Sequence, residues 1–459
     1  MAPDAKAAGA RGVTAPTRTL IVGSGAREHA LAWKLAAEPG MNEVVVAPGS
    51  AAIGTEPRVR CLPSIDPLDA EAVVAAARAI SAELVVVGPE MPLAAGVVDA
   101  LRNAGIRTFG PTQAAARLET SKAFCHEVAE AAGVRMARAR VFSEGEEAAA
   151  RAYVAELGAE GGGVVLKQDG LAAGKGVTVY DDTGLALDHV RSHLAGRGPG
   201  PALVVEERLA GHEASVIAIC DGREAVALPA SRDHKRLCDG DLGPNTGGMG
   251  AYSPLPDLPD DAVAGVIDTV HRPILAELAR RGTPFLGFLY AGLILTGDGP
   301  VLLECNARLG DPEAQVLLPR LAVPLGPVLA AAARRDLAAS VGAWPAGLPV
   351  LPGASVGIVL ASDGYPATPK RGLPIEGIES AEAEGALVFH GGSIGRPGGG
   401  YGTNGGRVLT VVGRGADLAR ARDVAERAAD LISWDGLQRR HDIAASLPPA
   451  PAVAIGAGR

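Results

Sequence analysis

The stretch TLIVGSGAREHALAWKLAA, residues 19–37, decides the fold at the start of the chain. Its apolar run at 19–22 predicts a strand, the glycine turn at 23–25 ends that strand, and the pattern at 28–37 predicts a helix. The same alternation continues with strand patterns at 43–46, 84–87 and 107–109 and helical patterns at 69–80 and 92–104. Alternating strands and helices are typical of α/β domains, so the first 110 residues predict a doubly wound parallel sheet.

The glycine turn of this domain is also a candidate binding site. Dinucleotide binding is not expected there, because the third glycine of the usual fingerprint is absent and Arg27 occupies the turn. The free backbone N–H groups of a helix start, here Gly23 and Gly25 beside Arg27, suit a phosphate on a small substrate. A purely structural turn is the alternative. Glu90 follows a neighbouring strand at the same sheet edge, where it either accepts hydrogen bonds from hydroxyl groups or opposes the helix dipole.

Composition indicates a large protein without an overall attraction for polyanions. A chain of 459 residues predicts about three domains, and its net charge of -9 does not favour nucleic acid or anionic lipid as a partner. The five cysteines are odd in number and form no CxxC pair, which fits reduced thiols and a cytoplasmic location. No apolar run has the length of a membrane span, and residues 1–17 resemble a disordered tail.

The rest of the chain predicts two further folding units of α+β type. Residues 118–209 contain a helix, a glycine-rich region resembling a hairpin, and a strand that ends in two glutamates. The segment 341–352 is rich in Pro, Gly and Trp and is interpreted as a linker. A last domain is expected to begin near Pro352, with strands at 354–361, 386–390 and 407–412 and a helix at 417–432.

The segment VLLECNARLGDPEAQ, residues 301–315, predicts a metal and substrate site. Alternate residues of a strand share a face, so Glu304 and Asn306 point together while Cys305 points to the opposite layer. A carboxylate and an amide oxygen suit Mg²⁺ or Mn²⁺ carried by nucleotide phosphates. Arg308 is a candidate for holding a carboxylate or a phosphate. An edge strand with a solvated polar end is the alternative.

A glycine-rich loop follows the apolar strand pattern at 164–166. Lysines at the strand end and in the loop supply positive charge, while the glycines let backbone N–H groups approach phosphate oxygens. The residues of this loop are Lys167, Gly170, Gly174, Lys175 and Gly176. The spacing is not that of a Walker loop. We therefore expect a flexible lid over phosphates, with a structural hairpin as the alternative.

Two further motifs complete the candidate site. In VVEERLAGHEAS, residues 204–215, the strand that ends at Glu206 and Glu207 has backbone groups suited to an adenine edge, and Glu213 suits ribose hydroxyls. Solvated acids around a turn are the alternative. The second motif, residues 231–254, predicts a loop that wraps an anionic intermediate. Its candidate contacts are Asp233, Lys235, Asn245 and Thr246, whereas His234 is interpreted as structural.

Together these segments resemble the phosphoribosylamine–glycine ligases, a family of the ATP-grasp superfamily. The resemblance covers nearly the whole chain, and GPNTGGMGAYSP and NARLGDPE are its most specific motifs. It implies a Rossmann-like N-terminal domain at 18–117, an ATP-grasp domain at 118–340 with a lid at about 140–207, and a small α+β C-terminal domain at 352–445. The chain departs from the family pattern at Gln168, at Leu309 and in its ending RRHDIAAS.

The resemblance also implies residue roles that agree with the reading of the motifs. Glu304 and Asn306 are similar to the family's metal ligands, Lys122 and Lys167 to the lysines that neutralise ATP phosphates, and 206–213 to the segment that holds adenosine. The expected cofactors are ATP with Mg²⁺ or Mn²⁺, and a monomer is expected.

The implied reaction joins glycine to 5-phosphoribosylamine through glycyl phosphate, the second step of purine synthesis. Arg308 and Asp311 are candidates for holding glycine, with Lys235 beside the reacting groups. The N-terminal turn and Glu90 are expected to receive phosphoribosylamine. Alternatives are another ATP-grasp carboxylate–amine ligase, a Rossmann-type oxidoreductase and a non-catalytic ATP sensor.

Overall fold

A computed structural model describes residues 15–171, 176–194 and 201–448. The N-terminal domain is a five-stranded parallel sheet of order β3-β2-β1-β4-β5, which confirms the doubly wound prediction. Its elements are β1 (Arg18–Gly23), α1 (Ala26–Ala36), β2 (Glu43–Pro48), β3 (Val59–Cys61), α2 (Ala70–Ala79), β4 (Leu84–Val87), α3 (Glu90–Ala94), α4 (Val97–Asn103) and β5 (Thr108–Phe109).

Local chemistry explains these boundaries. Leu20, Ile21 and Val22 are fully buried, as expected for a parallel strand with helices on both faces. The side chain of Asp69 accepts a hydrogen bond from the Ala72 amide and so begins α2. The single helix predicted over 92–104 is two helices, because Gly96 takes a left-handed conformation (φ 80°) between α3 and α4.

The start of the described chain is held by the same domain. Thr17, which the composition had placed in a tail, donates its backbone N–H to Glu83 at 2.7 Å, and its carbonyl accepts a hydrogen bond from Asn42. Among the described residues, no helix is long and apolar enough to cross a membrane.

A four-stranded antiparallel sheet of order β6-β9-β7-β8, with helices on one side, forms the region predicted to be a lid, and that region is called the lid below. Two helices precede it, and the elements of this region are α5 (Gln113–Thr120), α6 (Lys122–Ala131), β6 (Ala139–Phe142), α7 (Glu147–Ala159), β7 (Val164–Gln168), β8 (Val177–Tyr180), α8 (Thr183–Leu194) and β9 (Leu203–Glu207). The lid has its own hydrophobic core, built around Leu157, Leu166 and Leu203. This core is separate from the two large clusters that hold the other parts together.

The central part of the chain is an antiparallel sheet of order β11-β10-β16-β17 with helices packed on it. Its elements are β10 (His212–Asp221), β11 (Ala225–Ala227), β12 (Arg232–Asp233), β13 (Arg236–Cys238), β14 (Leu242–Asn245), β15 (Gly250–Ser253), α9 (Asp260–Val266), α10 (Arg272–Arg280), β16 (Leu286–Thr296), β17 (Gly299–Asn306), α11 (Glu313–Leu317), α12 (Leu325–Ala333) and α13 (Ala338–Ala343).

The C-terminal domain is built on a sheet that it shares with the central part. Its elements are β18 (Ala354–Ala361), β19 (Pro374–Ile375), α14 (Ile378–Ala383), β20 (Leu387–His390), β21 (Ser393–Gly395), β22 (Tyr401–Thr403), β23 (Arg407–Gly415) and α15 (Leu418–Leu431). The five-stranded order is β12-β15-β18-β23-β20, so β15 pairs with β18 across the expected boundary. The segment 341–352 is packed, since Leu348 donates its backbone N–H to Ala227 at 2.8 Å.

Candidate active site

A cleft of about 500 Å³ opens between the lid, the end of β17 and the helices α5 and α6. Many of the residues singled out from the sequence line it. They are Glu90, Lys122, Lys167, Gly170, Gly176, Glu206, Glu304, Asn306 and Arg308. The structure therefore brings together residues from the N-terminal domain, the lid and the central sheet.

The end of β17 carries the two predicted metal ligands. Glu304 lies opposite Gly292 and Asn306 opposite Tyr290, so the two occupy alternate positions on one strand. The Glu304 carboxylate lies 3.6 Å from the Lys235 ammonium. Burial alone would raise the pKa of Glu304, but Lys235 and Lys167 lower it below its usual value. Glu304 is therefore ionised at neutral pH.

The donor set of this strand end fits a hard divalent cation. Among the described residues there is no group of three or more His, Cys, Asp or Glu side chains able to hold a metal ion. The candidate ligands predicted from the sequence are the oxygens of Glu304 and Asn306. Two protein ligands suit Mg²⁺, which fills its coordination sphere with phosphate oxygens and water.

Lys167 and Glu206 form a buried ion pair in the wall of the cleft. The Lys167 ammonium lies 2.8 Å from Glu206 and also donates to the Leu303 carbonyl at 2.9 Å. The other oxygen of Glu206 lies 2.7 Å from Nε2 of His126. Burial would raise the pKa of Glu206, yet Lys167 and His126 lower it. Glu206 is only 2% exposed, so its carboxylate holds Lys167 in place.

The glycine loop meets the start of α6. Lys122 donates its ammonium to the Gly170 carbonyl at 2.8 Å, and the Asp169 carboxylate accepts from the hydroxyl of Ser121 and the amide of Ala123. Burial lowers the pKa of Lys122, although nearby carboxylates oppose that effect. Gly170 and Gly176 line the cleft, whereas Gly174 and Lys175 lie outside the described residues.

The two other acids of the adenosine segment face different surroundings. Glu207 does not line the cleft: its carboxylate accepts from the backbone N–H and the guanidinium of Arg138, both at 2.9 Å. Successive residues of β9 point to opposite faces, so only the backbone of Glu207 is available to a ligand. Glu213 is half exposed and lies 2.8 Å from the Lys235 ammonium.

Arg308 lies between two carboxylates. Its Nη2 atom is 2.9 Å from Glu119, and its Nε atom is 3.4 Å from Glu90. Glu119 also accepts the backbone N–H of Ala307 at 2.8 Å, and burial raises its pKa despite the opposing effect of Arg308. This arrangement fixes the guanidinium in the wall of the cleft.

The glycine turn of the N-terminal domain is occupied by the side chain of Glu28. The Gly25 N–H donates to Glu28 at 2.7 Å, which corrects the expectation that this amide is free. A Cβ atom on Gly23 would lie 2.6 Å from the Glu28 side chain. Arg27 pairs with Glu28 at 2.6 Å and donates to the Leu309 carbonyl at 3.2 Å, so it joins the turn to the segment after β17.

Asp311 faces a second cavity and does not line the cleft that Arg308 lines. Its carboxylate lies 3.0 Å from Arg407 and accepts from Gln315 at 2.7 Å. Burial would raise the pKa of Asp311, but Arg407 and Arg27 lower it. The expected pairing of Arg308 and Asp311 around one small substrate is therefore split between two cavities.

The loop of residues 231–254 approaches the site through Lys235, which lies 3.6 Å from Glu304, but none of its residues lines the cleft. Asp233 lies among acids, and burial raises its pKa to about 8 even though Lys235 opposes the shift. Burial would lower the pKa of Lys235, but Glu213 and Glu304 raise it. The Thr246 hydroxyl donates to the Lys235 carbonyl at 2.8 Å, so Thr246 shapes the loop. Asn245 donates to the lid carbonyl of Val177 at 3.5 Å.

Models of one protein family match most of the chain. The phosphoribosylglycinamide synthetase N domain matches residues 17–119, the ATP-grasp (A) domain matches 120–314, and the C domain matches 355–446. The chain belongs to the phosphoribosylglycinamide synthetase family. The N-terminal sheet, the lid with the central sheet and the C-terminal sheet described above correspond in order to these three parts.

Curated relatives in the phosphoribosylglycinamide synthetase family match over their full length. The phosphoribosylamine–glycine ligase of Streptomyces coelicolor is 47% identical over 432 residues, which cover 93% of this chain and 99% of the relative. The enzyme of the same name from Leifsonia xyli is 46% identical over 436 residues, with the same coverage.

Solved structures show the same architecture. The crystal structure of phosphoribosylamine–glycine ligase from Thermotoga maritima superposes with a TM-score of 0.73 at 32% identity, covering 93% of this chain and all of that one. A biotin carboxylase domain from Hydrogenobacter thermophilus superposes with a TM-score of 0.63 at 16% identity and covers 93% of this chain. At that identity the second likeness extends to the fold alone.

Several residues of the site were not singled out from the sequence. They are Glu28, Glu119, His126 and Arg407. Glu119 stands three residues before Lys122, and Glu28 directly follows Arg27, so both lie close in sequence to residues already chosen. His126 gave no local signal, because it reaches the site through a contact with a residue 80 positions away. Arg407 lies in TNGGRVL, residues 403–409, which is one of the motifs of the family resemblance, but it had no assigned role because its partner Asp311 is 96 positions away.

Proposed function

We propose that this protein joins glycine to 5-phosphoribosylamine with cleavage of ATP to ADP and phosphate, giving glycinamide ribonucleotide in purine biosynthesis. The observation that carries the proposal is the convergence of Lys122, Lys167, Glu304 and Arg308 on one cleft under a lid with its own core. Membership in the phosphoribosylglycinamide synthetase family and the names of its full-length relatives support these substrates.

The charges of the cleft support the proposed binding of ATP. Lys122 and Lys167 face the space between the lid and β17, where phosphate groups would find two ammonium groups. Glu206 is paired with Lys167, so its carboxylate is not free to bind adenosine. Adenosine would instead contact the backbone at the end of β9 and the half-exposed Glu213. Glu304 and Asn306 would hold Mg²⁺ or Mn²⁺, which would neutralise charge on the phosphate oxygens.

The first step forms an acyl phosphate. A carboxylate oxygen of glycine attacks the γ-phosphorus, the bond from that phosphorus to the bridging oxygen breaks, and ADP leaves with the electron pair. Arg308 is suited to hold the glycine carboxylate because Glu90 and Glu119 fix its guanidinium. Lys235, Lys167 and Lys122 stabilise the negative charge that spreads over the transferred group.

The second step consumes the acyl phosphate. The amine nitrogen of phosphoribosylamine attacks the glycyl carbonyl carbon, the bond to the phosphate oxygen breaks, and the amine loses a proton as phosphate leaves. The lid excludes water from this intermediate until the amine arrives. We assign the receiving side to Glu90, which lines the cleft, and to the buried Arg27, whose guanidinium lies 4.0 Å from the Glu90 carboxylate.

We further propose that the working form is a cytoplasmic monomer. All five cysteines are free thiols, which suits a reducing compartment. One copy of the chain supplies every residue to which a role is given above.

The proposal is tested by measuring ADP release by the purified protein with MgATP and phosphoribosylamine generated in place. We expect release that requires glycine and is not supported by alanine or bicarbonate. Glu304→Gln should lower kcat at least a hundredfold. Asp298→Asn, at a highly exposed position in the turn of the same hairpin, should leave it unchanged. Release that follows bicarbonate would instead indicate another ATP-grasp ligase.

A further inference from the structure

Two cysteines from distant parts of the chain meet in the wall of the cleft. Cys125 lies on α6 and Cys305 lies on β17, and both line the cleft of about 500 Å³. The side chain of Cys125 interacts with the thiol and with the backbone N–H group of Cys305. Both residues are buried and belong to one hydrophobic cluster. Neither thiol has a role in the proposed chemistry of ATP.

The geometry of β17 explains this contact. Successive strand residues point to opposite faces, so Cys305 points away from the face that carries its neighbours Glu304 and Asn306. The helix α6, which carries Cys125, packs against β17. Two thiols in contact on packed elements meet the main requirement of a disulfide, which is proximity without a large movement of the backbone. The cleft gives a small oxidant a path to the pair.

The other three cysteines are not placed in this way. Cys61 on β3 donates its thiol to the Ser50 carbonyl at 3.3 Å, and Cys220 on β10 is buried with its Sγ atom 3.7 Å from the Ala218 carbonyl. Cys238 is exposed at the end of β13. These three thiols are therefore internal controls for the reactivity of the pair.

A bond between the two cysteines would displace groups that the proposed reaction needs. Lys122 lies one turn before Cys125 on α6 and donates to the Gly170 carbonyl of the glycine loop at 2.8 Å. Glu304 is the neighbour of Cys305 on β17. A disulfide draws two sulfur atoms closer than a contact between thiols does, so α6 and β17 must shift relative to each other. Catalysis that depends on placement is sensitive to such shifts.

We propose that Cys125 and Cys305 are a modification site, a dithiol that hydroperoxides convert into an intramolecular disulfide that slows turnover of ATP, and that thiol reductants restore. One thiolate attacks an oxygen of the hydroperoxide, the O–O bond breaks, and water or an alcohol leaves, which gives a sulfenic acid. The second sulfur attacks the sulfenic sulfur, the S–O bond breaks, and water leaves. The two sulfurs are oxidised, the peroxide is reduced, and the two thiol protons end on the departing oxygens.

The first test is mass spectrometry of the full-length protein after treatment with hydrogen peroxide, alkylation of the remaining thiols and digestion with trypsin without reduction. The peptides 123–135 and 282–308 contain Cys125 and Cys305 as their single cysteines. We expect one linked species, lighter than the sum of the two peptides by two hydrogen atoms, and dithiothreitol should separate it. The absence of this species from the folded protein would overturn the proposal, and so would its formation in urea only.

ADP release measures the effect of the bond on turnover. Peroxide treatment that links the two peptides should lower kcat/KM for ATP about tenfold or more, and dithiothreitol should restore it. Cys125→Ala cannot form the bond, so it should keep most of its own untreated rate. The matched control Cys238→Ala retains the pair and should lose as much activity as the unaltered protein. An equal loss in Cys125→Ala would overturn the proposal.

A second variant guards against a failure to fold. If a thermal melt shows that Cys125→Ala is unfolded, Cys305→Ala removes the same bond from the other side, and if neither variant folds, the linked peptides decide alone. The bond forms whether or not the protein is a ligase, and only its effect on ADP release rests on the proposed function. A failure of that function is distinct, because the untreated protein would then release no ADP with glycine while the linked peptides would still be found.

Discussion

The Lys167 ammonium lies 2.8 Å from a carboxylate oxygen of Glu206, and both side chains are more than nine-tenths buried. The register of the lid sheet produces this contact. Val165 pairs with Glu206 across β7 and β9, which places Lys167 two residues further along the same face. A lysine directed at nucleotide phosphates is thus held by a carboxylate on the neighbouring strand.

Breaking this pair should destabilise the lid. Glu206→Gln leaves the buried Lys167 charge without its partner, and we expect a loss of about 3 kcal/mol, the lower end for a broken buried pair. The matched variant is Glu207→Gln, whose partner Arg138 is 53% exposed and whose loss should be below about 1 kcal/mol. Urea unfolding followed through lid amides measures both. Equal losses of stability in the two variants would show that the buried pair contributes no more to stability than the exposed pair does.

Glu119 is expected to act by positioning Arg308. Glu119→Gln removes a charged partner from a 2.9 Å contact, so we expect kcat/KM for glycine to fall about tenfold. Binding of MgATP should be unaffected, because the substitution disturbs Arg308 and leaves Lys122 and Lys167, the lysines proposed to contact the phosphates, in place. Glu127→Gln on α6 is the control, since that carboxylate is well exposed and pairs with Arg281. A tenfold loss of nucleotide affinity in Glu119→Gln would contradict this role.

Asp233 should make stability depend on pH in an unusual direction. With its pKa raised from an ordinary value of 3.8 to about 8, the folded protein holds a proton between those values that the unfolded chain has released. The contribution of Asp233 to stability therefore falls as pH rises through this window and is constant above it. The side chain in Asp233→Asn does not titrate. The melting temperature of this variant should therefore rise relative to that of the unaltered protein as the pH increases to about 8. Melts at intervals from pH 5 to pH 9 test this, and a constant difference would refute the shift.

The separate core of the lid should allow it to be loosened alone. Leu157 is 2% exposed in that core, and Leu157→Ala should cost about 2 to 5 kcal/mol of lid stability. Leu185→Ala, at a position 59% exposed on the neighbouring helix, should cost less than about 0.5 kcal/mol. Hydrogen exchange provides the readout. Lid amides should exchange faster in Leu157→Ala while those of β1 and β4 do not, and equal acceleration in both regions would mean that the lid is not a separate unit.

Much of the fold was predictable because strongly periodic segments carry their own signal. The strand Ala354–Ala361 has the predicted limits, and β1, β4 and α15 lie within a residue or so of theirs. The short strand Val59–Cys61 was missed because a segment of three residues is too short to show an alternating apolar pattern. The break at Gly96 was missed for another reason, because a glycine inside a helical pattern is usually tolerated.

The site was predictable where one segment delivers several groups, as Glu304, Asn306 and Arg308 do. It was less predictable where distant segments meet. The assignment of Glu206 to adenosine did not anticipate that the same carboxylate would be buried against Lys167, because that contact depends on sheet register. The separation of Arg308 from Asp311 likewise depends on a distant segment, because Asp311 pairs with Arg407 of the C-terminal domain.

The pairing of β15 with β18 has a consequence for anyone who wishes to divide this polypeptide. A fragment ending near residue 340 would carry β15 with an exposed edge, and a fragment starting near residue 352 would carry β18 with the complementary edge. Each fragment alone is an aggregation hazard. When the two fragments are produced together, we expect them to associate by pairing β15 with β18. This position therefore suits a split reporter, in which recovered ligase activity signals that two proteins fused to the fragments have come together.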